Sequence, residues 1–489
     1  MKKIFLLLIS CFFALSCSNG TDDNLSKIIT GKVVDEFNNP IPDVEVKVYD
    51  ALNINEIKNI KSQTLGVGFT EYQNLSFNPL NQSLKGSAKT NSSGMFSVDV
   101  KSSSEFYTIK LEKENYGQNL YTGLNNTEVG QLICVEDSLL HDEEMLNYFL
   151  VNDTMRFNKN VVYQIQDEED VNVFLLGDGF VLFEEGSKIV LGANSTLKIS
   201  AKNLKINGSK NNPVVIISEN VDSWDKIEIK LTGSNCNVSY LSCLNGEDGL
   251  IIKGNSNVKI NSSSFYEIEQ GISFLTSKDI SLSKNIISSC DYGFILSSGI
   301  DSSRIDSNIF INCNYPLRVE GQGFDDALGE SPIFSKITNN YFYNSDVVID
   351  AVTINLYTMN NTIDNCSVAM NYENGCRGIV QNNVITNVKN SNLNIKNIIY
   401  AWGLYETRFY PPYGYISDNN FQRSILGNYS LINDDLSDLN AENNYWYTTN
   451  YDTLESIIKH STDFSFVNPK GIVDFEPYKT SEILNIGAQ

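Results

Sequence analysis

A repeat of about 22 residues, running from about Asn237 to Trp446, constrains this chain more than any other feature. Gly249, Gly271 and Gly293 recur at 22 residues, each followed by an apolar run: Leu250-Ile251-Ile252, Ile272-Ser273-Phe274 and Phe294-Ile295-Leu296. A second row holds Ser263, Asn285, Asn308, Asn340, Asn361, Asn383, Asn419 and Asn444, each with an apolar or aromatic residue two positions later. One period is one coil of a solenoid, made of three short strands and three turns. Successive coils stack about 4.8 Å apart, so equivalent side chains lie over one another. Inward Ile, Phe, Val and Leu then form an apolar core, while Asn at a bend donates its amide to one neighbour and accepts from the next. Gly supplies the φ values that a tight corner demands.

The solenoid starts before the repeat becomes regular. Val173 to Leu176, Phe180 to Phe183, Lys188 to Leu191, Thr196 to Ile199 and Leu204 to Ile206 are short β-rich runs separated by turn residues. Cys290, Cys313 and Cys366 share one slot, five residues after Asn285, Asn308 and Asn361. They read as buried thiols packed as small hydrophobes, because Cβ vectors on stacked coils run parallel and do not favour a bridge. Beyond Trp446, Asp452 is the expected N-cap of a short helix with Leu454, Ile457 and Ile458 on one face, which would cover the open last coil. Gly471 to Pro477 follows as an extended tail, and Trp446 and His460 read as structural. Over its last two-thirds the chain resembles the right-handed parallel β-helix proteins. That class includes polysaccharide lyases and hydrolases as well as adhesins and surface proteins.

Residues from about Lys27 to Tyr116 read as a small β-sandwich. Ile29 to Asp35 is a strand, Asn38-Asn39-Pro40-Ile41-Pro42 a turn, and Val44, Val46 and Val48 the inward face of the next strand. Thr90-Asn91-Ser92-Ser93-Gly94 turns into Met95 to Val100, and Tyr107 to Leu111 follows. This segment resembles the carboxypeptidase-regulatory-like domain, a transthyretin-like sandwich, although the stretch from about Ala51 to Ser87 departs from its compact pattern. The resemblance implies a non-catalytic spacer. The fold class expected is therefore all-β: a right-handed parallel β-helix preceded by a small transthyretin-like β-sandwich.

The N-terminus reads as a targeting segment. Lys2 and Lys3 form a basic start, Ile4 to Ala14 an apolar stretch too short to span a bilayer, and Ala14-Leu15-Ser16-Cys17 a cleavage point. It resembles a lipoprotein signal peptide of the Bacteroidetes type, with Cys17 as the lipidated residue and Ser18 to Asp23 as a polar tether. Ala14 stands where Leu is usual. The resemblance implies an outer-membrane, cell-surface protein anchored through lipid alone. The organisation expected is a signal peptide over 1–16, a tether over 17–26, a carboxypeptidase-regulatory-like domain over 27–128, a junction over 129–160, the β-helix over 161–450, and a capping helix and tail over 451–489.

Composition narrows the partners. A formal charge of −23 argues against nucleic acid, whose phosphates need a basic face. Only His141 and His460 occur and no CxxC spacing exists, so a His-rich zinc site is excluded and no metal is assigned. No cofactor is expected; calcium is the one ion that the acidic surface admits, and no acid-rich calcium motif accompanies it.

Function is sought where the repeat is broken. Asn308 to Asn340 spans 32 residues and Asn383 to Asn419 spans 36, against 21 and 22 for the two coils between. Both insertions read as falling at one corner, after the third strand, about three coils or roughly 14 Å apart. They would wall a groove floored by the corners near Asp350 and Tyr372 to Arg377. The ligand-binding set expected is Asp325, Asp326, Arg377, Tyr400, Trp402, Tyr405, Arg408, Tyr410 and Tyr413. Aromatic faces suit sugar CH groups, while carboxylates and Arg suit hydroxyls or uronic acids. The expected function is binding or processing of extracellular polysaccharide, with a host or cell-surface glycan as partner; an enzyme of this kind would be a polysaccharide lyase or a glycoside hydrolase, and no catalytic residue is assigned. The alternative is a non-catalytic adhesin or structural surface protein. A cluster of carboxylates, Arg and exposed aromatics favours the first; a groove of Asn, Ser and Thr alone favours the second.

Overall fold

Two left-handed corners in each coil explain why its sequence repeats. The computed structural model describes residues 26–35, 37–50, 83–102, 107–114, 116–134, 137–139, 147–159, 161–209, 213–219, 222–233, 235–254, 257–275, 278–297, 302–321, 335–373, 376–396, 415–422, 429–435, 438–464 and 470–488. Ser262, Lys284, Ser307, Asn339, Asn360, Asn382, Asp418 and Asn443, each one residue before a ladder position, have φ between 53° and 62°. A second corner with positive φ follows at Asn245, Glu267, Ser289, Asn312, Asn344, Asn365 and Asn387. Asn tolerates this conformation because its short side chain bonds locally, hence its abundance at both corners.

Between the corners run three rows of parallel strands. In the coil that opens at Asn308, Ile309–Ile311 is the first strand, Tyr315–Glu320 the second and Ser335–Thr338 the third. Each pairs in parallel with its counterparts in the coils before and after. In the next three coils the first two strands run on as single segments, Tyr341–Val352, Thr362–Glu373 and Val384–Lys396. The result is a nearly all-β parallel solenoid of about 11 turns.

The Asn row is a buried hydrogen-bond ladder. The side-chain Oδ1 of Asn308 accepts from both the backbone N–H and the Nδ2 of Asn285, at 3.0 and 2.9 Å, while Nδ2 of Asn308 donates to Leu282 O and to Asn340 Oδ1 at 3.0 Å each. The same pattern continues through Asn340, Asn361, Asn383 and Asn419 to Asn444. Each rung thus ties three coils together and satisfies corner groups that have no strand partner. Two residues beyond each rung, Phe265, Ile287, Phe310, Phe342, Ile363, Ile385, Phe421 and Trp446 fill the core. Phe310 stacks on Phe342 at 4.8 Å, and Phe421 on Trp446 at the same spacing.

The glycine row has a different cause from the one expected. Gly249 does have a positive φ of 61°, but Gly271 and Gly293 are not left-handed. A Cβ on either would stand 2.4 Å from a carbonyl oxygen of the next coil, so close stacking of backbones demands Gly there. All seven cysteines after Cys17 are buried free thiols, among them Cys290, Cys313 and Cys366, for which parallel Cβ vectors implied it. Burial pushes the Cys236 and Cys376 thiols up to about 12.

At the N-terminal end, Ser26–Val34 pairs with Met95–Lys101 and with Glu128–Ile133, forming one small sheet. Leu84–Lys89, Glu45–Asp50, Tyr107–Lys113 and Tyr116–Leu124 form another, and the two share an apolar core of residues such as Ile29, Val46, Val98 and Ile109. The stretch 129–160, periodless in sequence, carries strands that pair on both sides. Glu128–Ile133 closes the first small sheet, whereas Asp137–Leu139, Asn147–Val151 and Thr154–Phe157 pair with the strands of the coil that follows. Lys188 of that solenoid is buried with its Nζ 4.7 Å from the centre of the Tyr121 ring, so a cation–π contact joins the two parts.

The far end is closed by a helix over Tyr451–Ile457. Its N-cap is Asn450, whose Oδ1 accepts from Thr453 N at 2.9 Å, and Asp452 lies inside the first turn. The cap stands two residues earlier than expected because Asn450 can reach the third helical N–H. Leu454, Ile457 and Ile458 enter the core, and His460 is buried, accepting from Val473 N at Nδ1 and facing Glu455 through Nε2. The tail then returns over the first strand row. The Asn420 side chain holds both backbone groups of Ile483, and Ala488 N donates to Thr362 Oγ1 at 2.9 Å.

Candidate functional site

The two insertions leave the solenoid between the second and third strand rows, one strand earlier than the sequence spacing implied. They separate Tyr315–Glu320 from Ser335–Thr338 and Val384–Lys396 from Ile416–Ser417. Asp325, Asp326, Tyr400, Trp402, Tyr405, Arg408, Tyr410 and Tyr413 lie outside the described residues, as does Cys17. Arg377 opens the third-row strand Arg377–Gln381, in register with Asn355. Tyr372 is not part of a groove. Its ring is in the core and its hydroxyl is 2.6 Å from Thr358 Oγ1, because it alternates with the outward residues of its strand.

What borders both insertions is the outward face of the second strand row. Leu317 and Val319, Ile349 and Ala351, Met370 and Tyr372, and Leu393 and Ile395 point into the core. The residues between them therefore point out, and the register aligns them in two columns: Arg318, Asp350, Asn371 and Asn394, then Glu320, Val352, Glu373 and Lys396. The coils carrying Asp350 and Asn371 lie between the two that carry insertions.

These side chains form one network. Arg318 donates through Nε to Glu320 Oε1 at 2.7 Å, and its other side stands 3.7 Å from Asp350 Oδ2. Asn371 Nδ2 donates to Asp350 Oδ1 at 2.8 Å and to Glu373 Oε1 at 3.0 Å. Lys396 lies 3.7 Å from Glu373. Burial works to lower the Arg318 pKa, but Glu320, Asp350 and the neighbouring Tyr292 phenol together hold it above its ordinary value, so this guanidinium is a fixed charge. Where the same strand row begins, Tyr292 and Tyr315 stack with ring centres 4.9 Å apart and planes 15° from parallel, both half-buried.

The chemistry open to this face follows from its spacing. Asp350 and Glu373 both bond to one nitrogen, so those two oxygens lie within about 6 Å of each other, close to the separation of the carboxyls in retaining glycosidases. Acid–base hydrolysis also needs one carboxyl that keeps its proton, which an apolar pocket provides. Here Arg318 stands beside Glu320 and Asp350, and Lys396 beside Glu373, so the face offers both donors and acceptors to hydroxyls. Among the described residues no three His, Cys, Asp or Glu side chains are grouped to hold a metal ion.

Sequence reasoning placed Asp350 and the stretch Tyr372 to Arg377, which contains Glu373, on the floor of a groove but passed over Arg318, Glu320, Asn371, Asn394, Lys396, Tyr292 and Tyr315. A signal was available: Arg318, Asp350 and Asn371 each fall ten residues after a rung of the Asn ladder.

No family model matches the chain, and no curated protein does. Among solved structures it is similar to the catalytic unit of a thermostable GH87 α-1,3-glucanase from Streptomyces thermodiastaticus, at 11% identity over 80% of this chain and 88% of that one, with a TM-score of 0.32. A likeness that slight says nothing about chemistry at the face described above.

Proposed function

We propose that this chain binds extracellular polysaccharide on the outward face of its second strand row, between the two insertion-bearing coils. The observation that carries this reading is the column Arg318, Asp350, Asn371 and Asn394 beside the stacked Tyr292 and Tyr315. A rod with no ligand would be served by Asn, Ser and Thr alone. A flat face with guanidinium, carboxylate and amide groups at strand spacing offers sugar hydroxyls both donors and acceptors, and half-buried tyrosines beside it offer apolar ring surface. The two insertions would extend that surface, with Trp402, Tyr405 and Tyr410 as further ring contacts and Arg408 as a further donor. In the same proposal the chain is a lipoprotein anchored through Cys17 at the cell surface, with its N-terminal sheets acting as a carboxypeptidase-regulatory-like spacer.

The test is a glycan array with soluble protein from Lys27 onward, followed by product analysis on every binder. Saturable binding that Arg318→Ala abolishes, with no change in melting temperature, supports the reading. Binding that survives Arg318→Ala and Glu373→Ala together would place the site elsewhere.

A further inference from the structure

We infer that the outward face of the third strand row is a docking surface for an anionic lipid membrane. The register of that row places Arg156, Lys205, Lys259, Arg304 and Lys336 in one column. Their strand neighbours Leu204 and Ile206, Val258 and Ile260, and Ile305 and Ile337 enter the core, so the column points outward, and all five cations are exposed. From Arg156 to Arg304 they stand at every second coil, about 10 Å apart, and Lys336 follows one coil later. The column is roughly 34 Å long at that coil spacing.

Its charge sets this face apart from the rest of the molecule. The eight strands that carry the column hold six cationic residues against two acidic ones, Asp279 and Asp306, on a chain of net charge −23. Arg156 is paired with Glu184 at 3.2 Å and Arg304 with Asp306 at 3.4 Å, but Lys205, Lys259 and Lys336 make no ion pair among the described residues. On the second row, by contrast, Lys198, Lys226 and Lys253 are matched by Asp170, Asp225 and Glu228. Charges farther off than about 8 Å are screened at physiological salt, so the acidic remainder of the chain does not cancel the column.

The rest of the face selects the partner. From Lys205 to Lys336 these strands carry no aromatic residue, so no ring is offered to a sugar or a base. What remains is charge alone, spread along one unbroken sheet of 11 strands. Lipid headgroups present anions in a plane, which such a face meets at all its cations together. The other two faces are occupied: Ile133 and the C-terminal tail lie over the first row, and the Arg318 network lies on the second. Docked by its third row, the solenoid lies along the membrane with the Arg318 face clear of it. This contact adds to the acyl chains proposed at Cys17 and is independent of glycan binding.

The experiment is cosedimentation of the chain from Ser18 onward, which lacks the acylation site, with vesicles of phosphatidylcholine alone and of phosphatidylcholine mixed with an equal share of phosphatidylglycerol. Binding is expected to the mixed vesicles only, and it should fade as salt is raised, because the cations are exposed. Each unpaired Lys near an anionic surface strengthens binding roughly fivefold, so Lys205→Gln, Lys259→Gln and Lys336→Gln combined should weaken it about a hundredfold. A variant with the same change of charge on the second row, Lys198→Gln, Lys230→Gln and Lys253→Gln combined, should bind as the parent does. Melting curves of both variants should match the parent's, since none of the six side chains is buried. Equal binding to the two kinds of vesicle, or binding to neither, overturns the inference. Equal weakening by the two variants overturns the role of the third row. Binding to alginate that the third-row variant loses, without binding to vesicles, overturns the membrane and gives the face to an acidic polysaccharide.

Discussion

Replacing Asn361 by Leu isolates the ladder that holds the coils in register. The side chain is fully buried and makes four hydrogen bonds. Its Oδ1 accepts from Asn340 N and Asn340 Nδ2, both at 3.0 Å, and its Nδ2 donates to Ile337 O at 2.9 Å and Asn383 Oδ1 at 3.0 Å. Leu has a similar volume and fills the site, so no cavity term arises. It leaves the Asn340 backbone N–H and one proton of its amide buried without acceptors. Each stranded donor costs about 1–3 kcal/mol, and Asn383 Oδ1 loses the Asn361 amide but keeps the backbone N–H of residue 361, so the loss expected is about 2–5 kcal/mol. Urea unfolding measures it, and hydrogen exchange of the Asn340 amide reports whether damage begins at that corner. An Asn361→Leu protein with the parent's unfolding midpoint and a protected Asn340 amide would refute the argument. Ser263 supplies an internal control: its Oγ accepts only one backbone N–H from the coil before, Leu241 N at 3.1 Å, so Ser263→Ala should cost less.

Three further outcomes follow from the geometry. Gly271→Ala places a methyl 2.4 Å from the Gly293 carbonyl oxygen and should destabilise by about 1–3 kcal/mol in a urea melt, whereas Gly130→Ala, with nothing near but a φ of 70°, should cost less. Burial pushes the Lys188 pKa down from 10.5 to about 8, so between those values the unfolded chain binds more protons than the folded one. Stability should therefore rise with pH from about 8 to 10, and Lys188→Met should remove that rise and raise stability at pH 7 by about 1–3 kcal/mol, as compared melting curves would reveal. Cys17→Ala should release the protein from the membrane fraction or block its processing; unchanged partition, with no lipid mass on the N-terminal peptide, would refute the anchor.

The Asn ladder was legible in the sequence because stacking forces like onto like: a buried amide needs another amide above it, so the same letter returns at each coil. Core positions such as Phe310 and Phe342 were legible for the same reason. The outward column was not. Ile295, Arg318, Asp350, Asn371 and Asn394 succeed one another with only the last two alike, since a side chain facing outward need not match its neighbour. Asn394 was further hidden by an extra residue in its coil, where the register shifts between Cys366 and Val368. Sequence also drew attention to the insertions because they break the rhythm. The described network lies instead on the regular strands beside them, where rigid backbone spacing fixes Asn371 between two carboxylates. The cap at Asn450 is a local contact that the choice of Asp452 overlooked, whereas the return of the tail over Asn420 depends on contacts between residues far apart along the chain, which no local pattern encodes.

Hydrogen–deuterium exchange with and without a saturating polysaccharide, chosen from the array, tests the central claim most directly. Peptides covering 315–320, 345–352, 366–373 and 389–396 should gain protection, because they carry the outward columns of the second strand row. Those covering 257–261 and 278–283, on the third row and away from the insertions, should exchange at their unliganded rates. Protection confined to the third row, or to the small N-terminal sheets, would contradict the account and move the binding surface to another part of the molecule.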